Sequence, residues 1–267
     1  MNRIDLLFQR LRGAGERALV CYFPLGDPVG GDSLDMAERY VAAGVDVLEM
    51  GLPWRDPVLD GPTISGSMQR ALAAGTTPAR FFEEVRRIRR AYPDLPLEVM
   101  TYQGLVDSLG VQGFSRMCAE SGADAVIVAD ASWQQLHELD RLLRPWDIYP
   151  LRFAPFELTP QDIADIAQEA RGFVFVQAKP GVTGAGTDMH AELQQNLTAL
   201  RSGGVQTPLL AGFGMSLPDQ VRQAAGWGAD GVVVGSAGVE HLLKGDEELS
   251  AFLRQMKQAT RPVSVER

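Results

Sequence analysis

Cysteine is nearly absent from this chain: there are two in 267 residues, Cys21 and Cys118. Two thiols in apolar patterns build no disulfide framework, and neither has metal-ligand spacing. That usage fits a reducing cytoplasm. Histidine is equally scarce. His137, His190 and His241 stand beside no partner motif, so surface or helix-packing roles suit them. No apolar run approaches the ~20 residues of a membrane helix. The start Met1-Asn2-Arg3-Ile4-Asp5 leads into a short amphipathic helix and does not read as a signal peptide. Positive charge is in deficit, with a net charge of −9. Bulk nucleic-acid binding needs a basic surface and is disfavoured. The one basic run, Arg86-Arg87-Ile88-Arg89-Arg90, falls on a predicted helix and reads as a solvated face. Low-complexity segments are absent as well.

What is present is a regular alternation of short apolar runs with amphipathic helical runs. The expected strands are Leu19–Phe23, Val45–Met50, Leu97–Thr101, Ala125–Ala129, Ile148–Phe153, Phe173–Gln177, Pro208–Ala211 and Gly231–Val234. The expected helices between them are Ser33–Ala43, Pro78–Ala91, Val111–Glu120, Trp133–Leu143, Gln161–Ala170, Ala191–Arg201 and Leu217–Ala225. Glu247–Lys257 closes the chain, and an extra helix, Ile4–Leu11, precedes the first strand. Thr77-Pro78 and Thr159-Pro160 each place a capping hydroxyl before a proline at the first helical position. Glycines 44 and 122 end helices ahead of the second and fourth strands. Trp133, Trp146 and Trp227 read as core or rim aromatics. Alternating β and α favours a parallel sheet, and eight repeats favour a closed (β/α)8 TIM barrel over an open sheet. With no linker-like shift in composition, residues 1–267 read as one domain.

In such a barrel the active site forms at the C-terminal ends of the strands. The run Leu48–Thr63 falls there and is the most informative stretch of the sequence. Glu49 lies near the end of the second strand, where a carboxylate is costly to bury unless paired or protonated. Asp60 follows in an Asp-Gly-Pro turn, in a loop too rich in proline and glycine for helix. Two carboxyl groups in unlike surroundings can hold unlike pKa values, which suits general acid/base work. A strand-end acid with a solvated turn aspartate would leave the same letters. Three glycine-bearing loops follow late strands. They are Gly181-Val182-Thr183-Gly184, Gly212-Phe213-Gly214-Met215-Ser216, and Gly235-Ser236-Ala237 before a short helix Gly238–Leu243. Glycine lets backbone N–H groups approach an anion, and barrels commonly grip phosphate after strands seven and eight.

The block Leu48–Thr63, the three glycine loops, Leu25-Gly26-Asp27-Pro28 and Val128-Ala129-Asp130 together resemble the α-subunit of tryptophan synthase. The resemblance spans essentially the whole chain. It implies a carbon–carbon lyase of tryptophan biosynthesis that splits indole-3-glycerol phosphate into indole and glyceraldehyde 3-phosphate by retro-aldol cleavage. It implies that Glu49 transfers protons and that Asp60 stabilises the indolenine-like intermediate through its N–H. Substrate contacts are implied at Tyr22, Phe175, Thr183, Gly184, Phe213, Gly214, Gly235 and Ser236, and a partner loop at Asp56 and Pro57. No cofactor or metal is implied on this chain. The implied partner is a β-like subunit carrying pyridoxal phosphate, in an αββα-type assembly.

Several residues depart from the family pattern. Phe175 stands where Tyr is common, Arg55 where a small residue is usual, Trp54 for Phe and Pro24 for Thr. Gly104 replaces an Asn, Lys179 an Arg, and Arg152 and Phe156 are foreign to the pattern. These departures leave two other readings open. One is a paralogue acting on a different indole- or aryl-glycerol phosphate. The other is a regulatory subunit that activates a β-like partner.

Overall fold

The computed structural model describes residues 1–28, 30–178, 181, 183–184 and 191–262. Its strands are β1 (Ala18–Phe23), β2 (Val47–Gly51), β3 (Leu97–Thr101), β4 (Ala125–Val128), β5 (Tyr149–Pro150), β6 (Arg152–Ala154), β7 (Val174–Gln177), β8 (Leu209–Gly212) and β9 (Gly231–Val234). Its helices are α1 (Arg3–Ala14), α2 (Ser33–Ala42), α3 (Pro62–Ala73), α4 (Pro78–Ala91), α5 (Gln103–Leu109) and α6 (Val111–Ser121), then α7 (Trp133–Leu143), α8 (Pro160–Glu169), α9 (Ala191–Ser202), α10 (Pro218–Gly226), α11 (Ser236–Leu242) and α12 (Asp246–Ala259).

Every strand pairing is parallel, and the order runs β5-β4-β3-β2-β1-β9-β8-β7-β6. The sequence pattern predicts one strand over Ile148–Phe153. The structure instead interrupts it at Leu151 and carries it to Ala154. Pro150 has no N–H to give the ladder. The chain pairs with β4 before the break and with β7 after it, while Leu151 N still donates to Val126 O at 2.8 Å. β5 and β6 are therefore two halves of one strand, and the order closes into the expected (β/α)8 barrel.

The strands are almost wholly buried because helices cover one face and the barrel interior the other. Alternate residues divide between two apolar clusters. One, with Leu19, Cys21, Leu48, Val99 and Val126, lies under the helices. The other, with Val20, Tyr22, Val47, Met100, Ile127 and Phe175, fills the barrel. The N-terminal α1 packs on this second cluster. Its Ile4, Leu7, Phe8 and Leu11 join the barrel interior residues, and Asn2 and Asp5 form a capping box.

Two helices escape the sequence pattern. α3 begins at Pro62, just after the predicted loop, so Pro62 and Thr63 are helical. It buries Ile64, Ser67, Met68 and Ala71, and two of those four are too small or polar to write an apolar stripe. α5 spans only seven residues, too few for a periodic signal. A smaller correction concerns the loop Gly235-Ser236-Ala237: α11 already starts at Ser236 rather than at Gly238. Among the described residues no helix is long and apolar enough to cross a membrane.

Acids at the lower ends of the strands are paired. Asp46 accepts from Lys257 Nζ at 2.7 Å and from Leu19 N at 2.9 Å, tying α12 to the barrel. Asp124 accepts from Arg3 at 2.9 Å and Leu97 N at 2.8 Å, with Arg89 as a further partner. The acids higher in the barrel are held quite differently.

Candidate active site

A cleft opens at the C-terminal ends of the strands. β1 contributes Tyr22, β2 Glu49, and the β2–α3 loop Leu59 and Asp60. Its walls are apolar: Ile64, Met100, Ile127, Phe153, Phe175 and Val233. Thr183, Gly184, Phe213, Gly214, Gly235 and Ser236 complete its lining. Every substrate-contact residue expected from the sequence thus lines one cleft. Val182, Lys179, Pro180 and His190 lie outside the described residues.

Glu49 is 7 % exposed and its Oε2 has no hydrogen-bond partner. Burial in this apolar wall, with Asp60 as a neighbouring negative charge, pushes its pKa up to about 8. The carboxyl group is therefore protonated at neutral pH.

Asp60 is held by two hydroxyl groups. Tyr102 Oη donates to Oδ2 at 2.7 Å, and Thr183 Oγ1 donates to Oδ1 at 3.0 Å. Thr183 also accepts from Gly61 N at 2.9 Å, and its own N–H donates to Leu59 O at 3.1 Å. The loop after β7 is in this way fastened to the loop after β2. Burial raises the Asp60 pKa, and the two hydroxyl bonds pull it back by favouring the ionised form. The two carboxyl groups differ as the sequence reading expects: one is unpartnered and neutral, the other is clasped by donors.

Tyr102 went unread in the sequence because it sits one residue beyond β3, in a run that is otherwise apolar and ordinary. Its phenol is raised well beyond the tyrosine range, first by burial and then by Asp60, so it remains a donor. Glu98, in register with Glu49 on the neighbouring strand, also went unread. The apolar walls carry no sequence signal apart from strand alternation.

Three glycines give way to aromatic side chains. A Cβ on Gly212 would lie 2.1 Å from Phe175 Cζ, and one on Gly51 would lie 2.2 Å from Tyr22 Oη. A Cβ on Gly104 would lie 2.7 Å from Trp54 Cζ2. Trp54 and Gly104, two separate departures in the sequence, thus form one compensating pair. Phe175 stacks on Phe153 with ring centroids 5.3 Å apart and meets Phe213 edge-on at 5.6 Å. Phe213 keeps a φ of 68°, a left-handed conformation uncommon outside glycine. Gly212→Ala is expected to displace Phe175 and destabilise the fold by ~1–3 kcal/mol, the usual cost of overpacking. Thermal unfolding of the variant beside wild type checks this.

Other expected residues sit at the margins. Asp56 is exposed and Pro57 half-buried on the surface loop. The Arg55 guanidinium lies over the Trp54 ring at 5.1 Å. Arg152 is buried outside the cleft, bonded to Glu169 at 2.9 Å and stacked on Trp133. His137 contacts Glu169, and His241 stacks on Phe252 at 4.3 Å; neither lines the cleft.

A barrel that holds a neutral buried carboxyl group and a second, hydroxyl-clasped carboxyl group in one apolar cleft is built for proton transfer on an aromatic or aliphatic substrate. Comparison with known proteins makes this specific. The family model described as "Tryptophan synthase alpha chain" matches residues 8–265. Proteins named tryptophan synthase alpha chain are similar along nearly their whole length. The one from Vibrio cholerae is 37 % identical, covering 98 % of this chain and 100 % of its own. The one from Photobacterium profundum is 35 % identical, covering 98 % and 99 %. A solved structure of Mycobacterium tuberculosis tryptophan synthase superposes with a TM-score of 0.89 at 28 % identity, covering 98 % of this chain and 99 % of that one. The tryptophan synthase alpha chain of Legionella pneumophila gives 0.87 at 26 %, with 99 % of each chain covered.

The chain belongs to the tryptophan synthase alpha chain family. It is a carbon–carbon lyase of tryptophan biosynthesis, cleaving indole-3-glycerol phosphate to indole and glyceraldehyde 3-phosphate.

Proposed function

We propose that Glu49 carries both proton transfers of this cleavage. Its carboxyl proton goes to C3 of the indole ring, leaving positive charge on the ring nitrogen. The Glu49 carboxylate then takes the proton from the side-chain hydroxyl. The bond between C3 and the hydroxyl-bearing carbon breaks, its electrons restore the aromatic ring, and the carbonyl of glyceraldehyde 3-phosphate forms. Asp60 holds the indole N–H and offsets its charge while C3 is protonated. The observation that supports this reading best is the unpartnered, neutral Glu49 at the head of an apolar cleft. Indole release by the isolated chain from indole-3-glycerol phosphate tests it. An inert chain overturns it.

The phosphate is placed against Gly184, Gly214, Gly235 and Ser236. Ser236 supports this, because its Oγ is buried, unpartnered and on the cleft wall. A Cβ at Gly235 meets only Ile64 Cδ1, at 3.9 Å, so the protein itself has room for a side chain there. Gly235→Val is expected to raise KM about tenfold, the equivalent of one lost hydrogen bond to an anion, with a smaller change in kcat. An unchanged KM places the phosphate elsewhere.

The whole chain, 1–267, acts as one domain in this reading, since the barrel closes only through the pairing of β1 with β9. The partner is a β-like subunit carrying pyridoxal phosphate, in an αββα-type assembly. It docks on the surface loop that exposes Arg55, Asp56 and Val58. Adding the cognate β-like protein is expected to speed indole release; no change counts against the docking. Two buried free thiols, Cys21 and Cys118, support a cytoplasmic location.

A further inference from the structure

Glu98 is fully buried, and neither carboxyl oxygen has a partner. It lies on β3 in register with Glu49 on β2. Strand alternation puts it on the same side as Met100 and Tyr102, which line the barrel interior and the cleft. Adjacent strands run ~4.8 Å apart, a gap that two glutamate side chains bridge by rotation alone. The buried acids at the lower ends of the strands have cationic partners: Asp46 has Lys257, and Asp124 has Arg3 and Arg89. Glu98 has none.

Such a group persists in an apolar interior only as the neutral acid. Burial and the nearby Glu49 both raise its pKa far above the carboxylic range. The ionisable groups around the pair are few. Tyr22 faces it from β1, with Cys21 on the opposite face of that strand; Asp60 lies on the β2–α3 loop and Tyr102 beyond β3. From β4 the interior positions are Ala125 and Ile127. No lysine, arginine or histidine lines the cleft among the described residues.

We propose that Glu98 is a positioning residue for Glu49: a neutral carboxylic acid whose hydroxyl donates to the Glu49 carboxylate whenever Glu49 has given up its proton. This rests on Glu49 being the acid/base group. The pair holds two protons before C3 is protonated, one while the ring carries the proton, and two again after the substrate hydroxyl is deprotonated. A donor to the ionised form makes the first proton easier to release and steadies the carboxylate that must accept the second. It replaces the water that an apolar cleft excludes.

The test is the pH dependence of kcat for indole release, in wild type, Glu98→Gln and Glu98→Leu. Glutamine keeps an N–H donor; leucine removes it. With Leu, the alkaline limb is expected to move up by about one pH unit, the size of a hydrogen bond to an ionised group. With Gln it stays near wild type. A merely structural role would lower thermal stability in both variants without moving the limb. Superimposable profiles overturn the proposal, as does a downward shift in both variants, which would mean that Glu98 acts as an anion. If the leucine variant does not fold, infrared spectra of substrate-free wild type and Glu98→Gln decide. Loss of one protonated-carboxyl band at neutral pH is expected, and no loss overturns the proposal. That spectrum stays readable even if Glu49→Gln proves active, so failure of the Glu49 reading is distinguishable.

Discussion

Glu49→Gln is expected to lower kcat for indole release by ~10²–10⁴-fold, the usual contribution of a positioned acid/base group. The amide is nearly isosteric and cannot exchange protons. It is also neutral, like the wild-type side chain at neutral pH, so folding should be intact and KM nearly unchanged. The pH dependence sharpens the expectation. The protonated form gives C3 its proton, so wild-type turnover falls as pH rises through about 8. Stability follows the same sign. The native carboxyl holds its proton up to about 8, against an ordinary value of 4.5 in the unfolded chain, so the native state binds more protons in that window. Stability is therefore fully present below the lower value and declines as pH rises toward the upper one. Glu49→Gln removes that decline, and denaturant unfolding at two pH values checks it.

Asp60→Asn is expected to cost ~10²–10³-fold in kcat, the range for removing one preorganised group from a developing charge. The asparagine keeps an oxygen toward the indole N–H but loses the charge that offsets the ring cation. Tyr102 and Thr183 both donate to Asp60, and an amide nitrogen in place of one oxygen forces one of those hydroxyl groups to turn from donor to acceptor and removes the charge from both bonds. The clasp between the loops after β2 and β7 should therefore loosen as well. A second effect separates electrostatics from loop geometry. Asp60 is one of the two causes that raise the Glu49 pKa, so its neutralisation should move the alkaline limb to lower pH. A variant that loses activity with an unmoved limb would place Asp60 too far from Glu49 to act on it.

The barrel was legible because its strands are short apolar runs separated by strongly periodic helices, α4 above all, with Phe81, Phe82, Val85 and Ile88 on one face. α3 was not, since its buried face includes Ser67 and Ala71 and its start is hidden in a proline-rich loop. The interrupted strand at Leu151 depends on a change of neighbours, which local pattern does not encode. In the site, Glu49 and Asp60 stood out as charges in unexpected places. Tyr102 did not, because a tyrosine after a strand is common and its role comes from a partner 42 residues away. Glu98 was readable as a charge inside the apolar run Leu97–Thr101, yet its significance lies in the register with Glu49, which only the sheet supplies. Gly104 and Trp54 read as two departures and form one contact.

The central claim is that a buried, neutral Glu49 supplies the proton that starts the cleavage. Steady-state indole release from indole-3-glycerol phosphate, followed from mildly acidic to alkaline pH for wild type and Glu49→Gln side by side, tests it most directly. The account predicts a wild-type fall with a midpoint near 8 and a residual Glu49→Gln rate that lacks this limb. A Glu49→Gln enzyme with near-normal turnover and the same limb would contradict it.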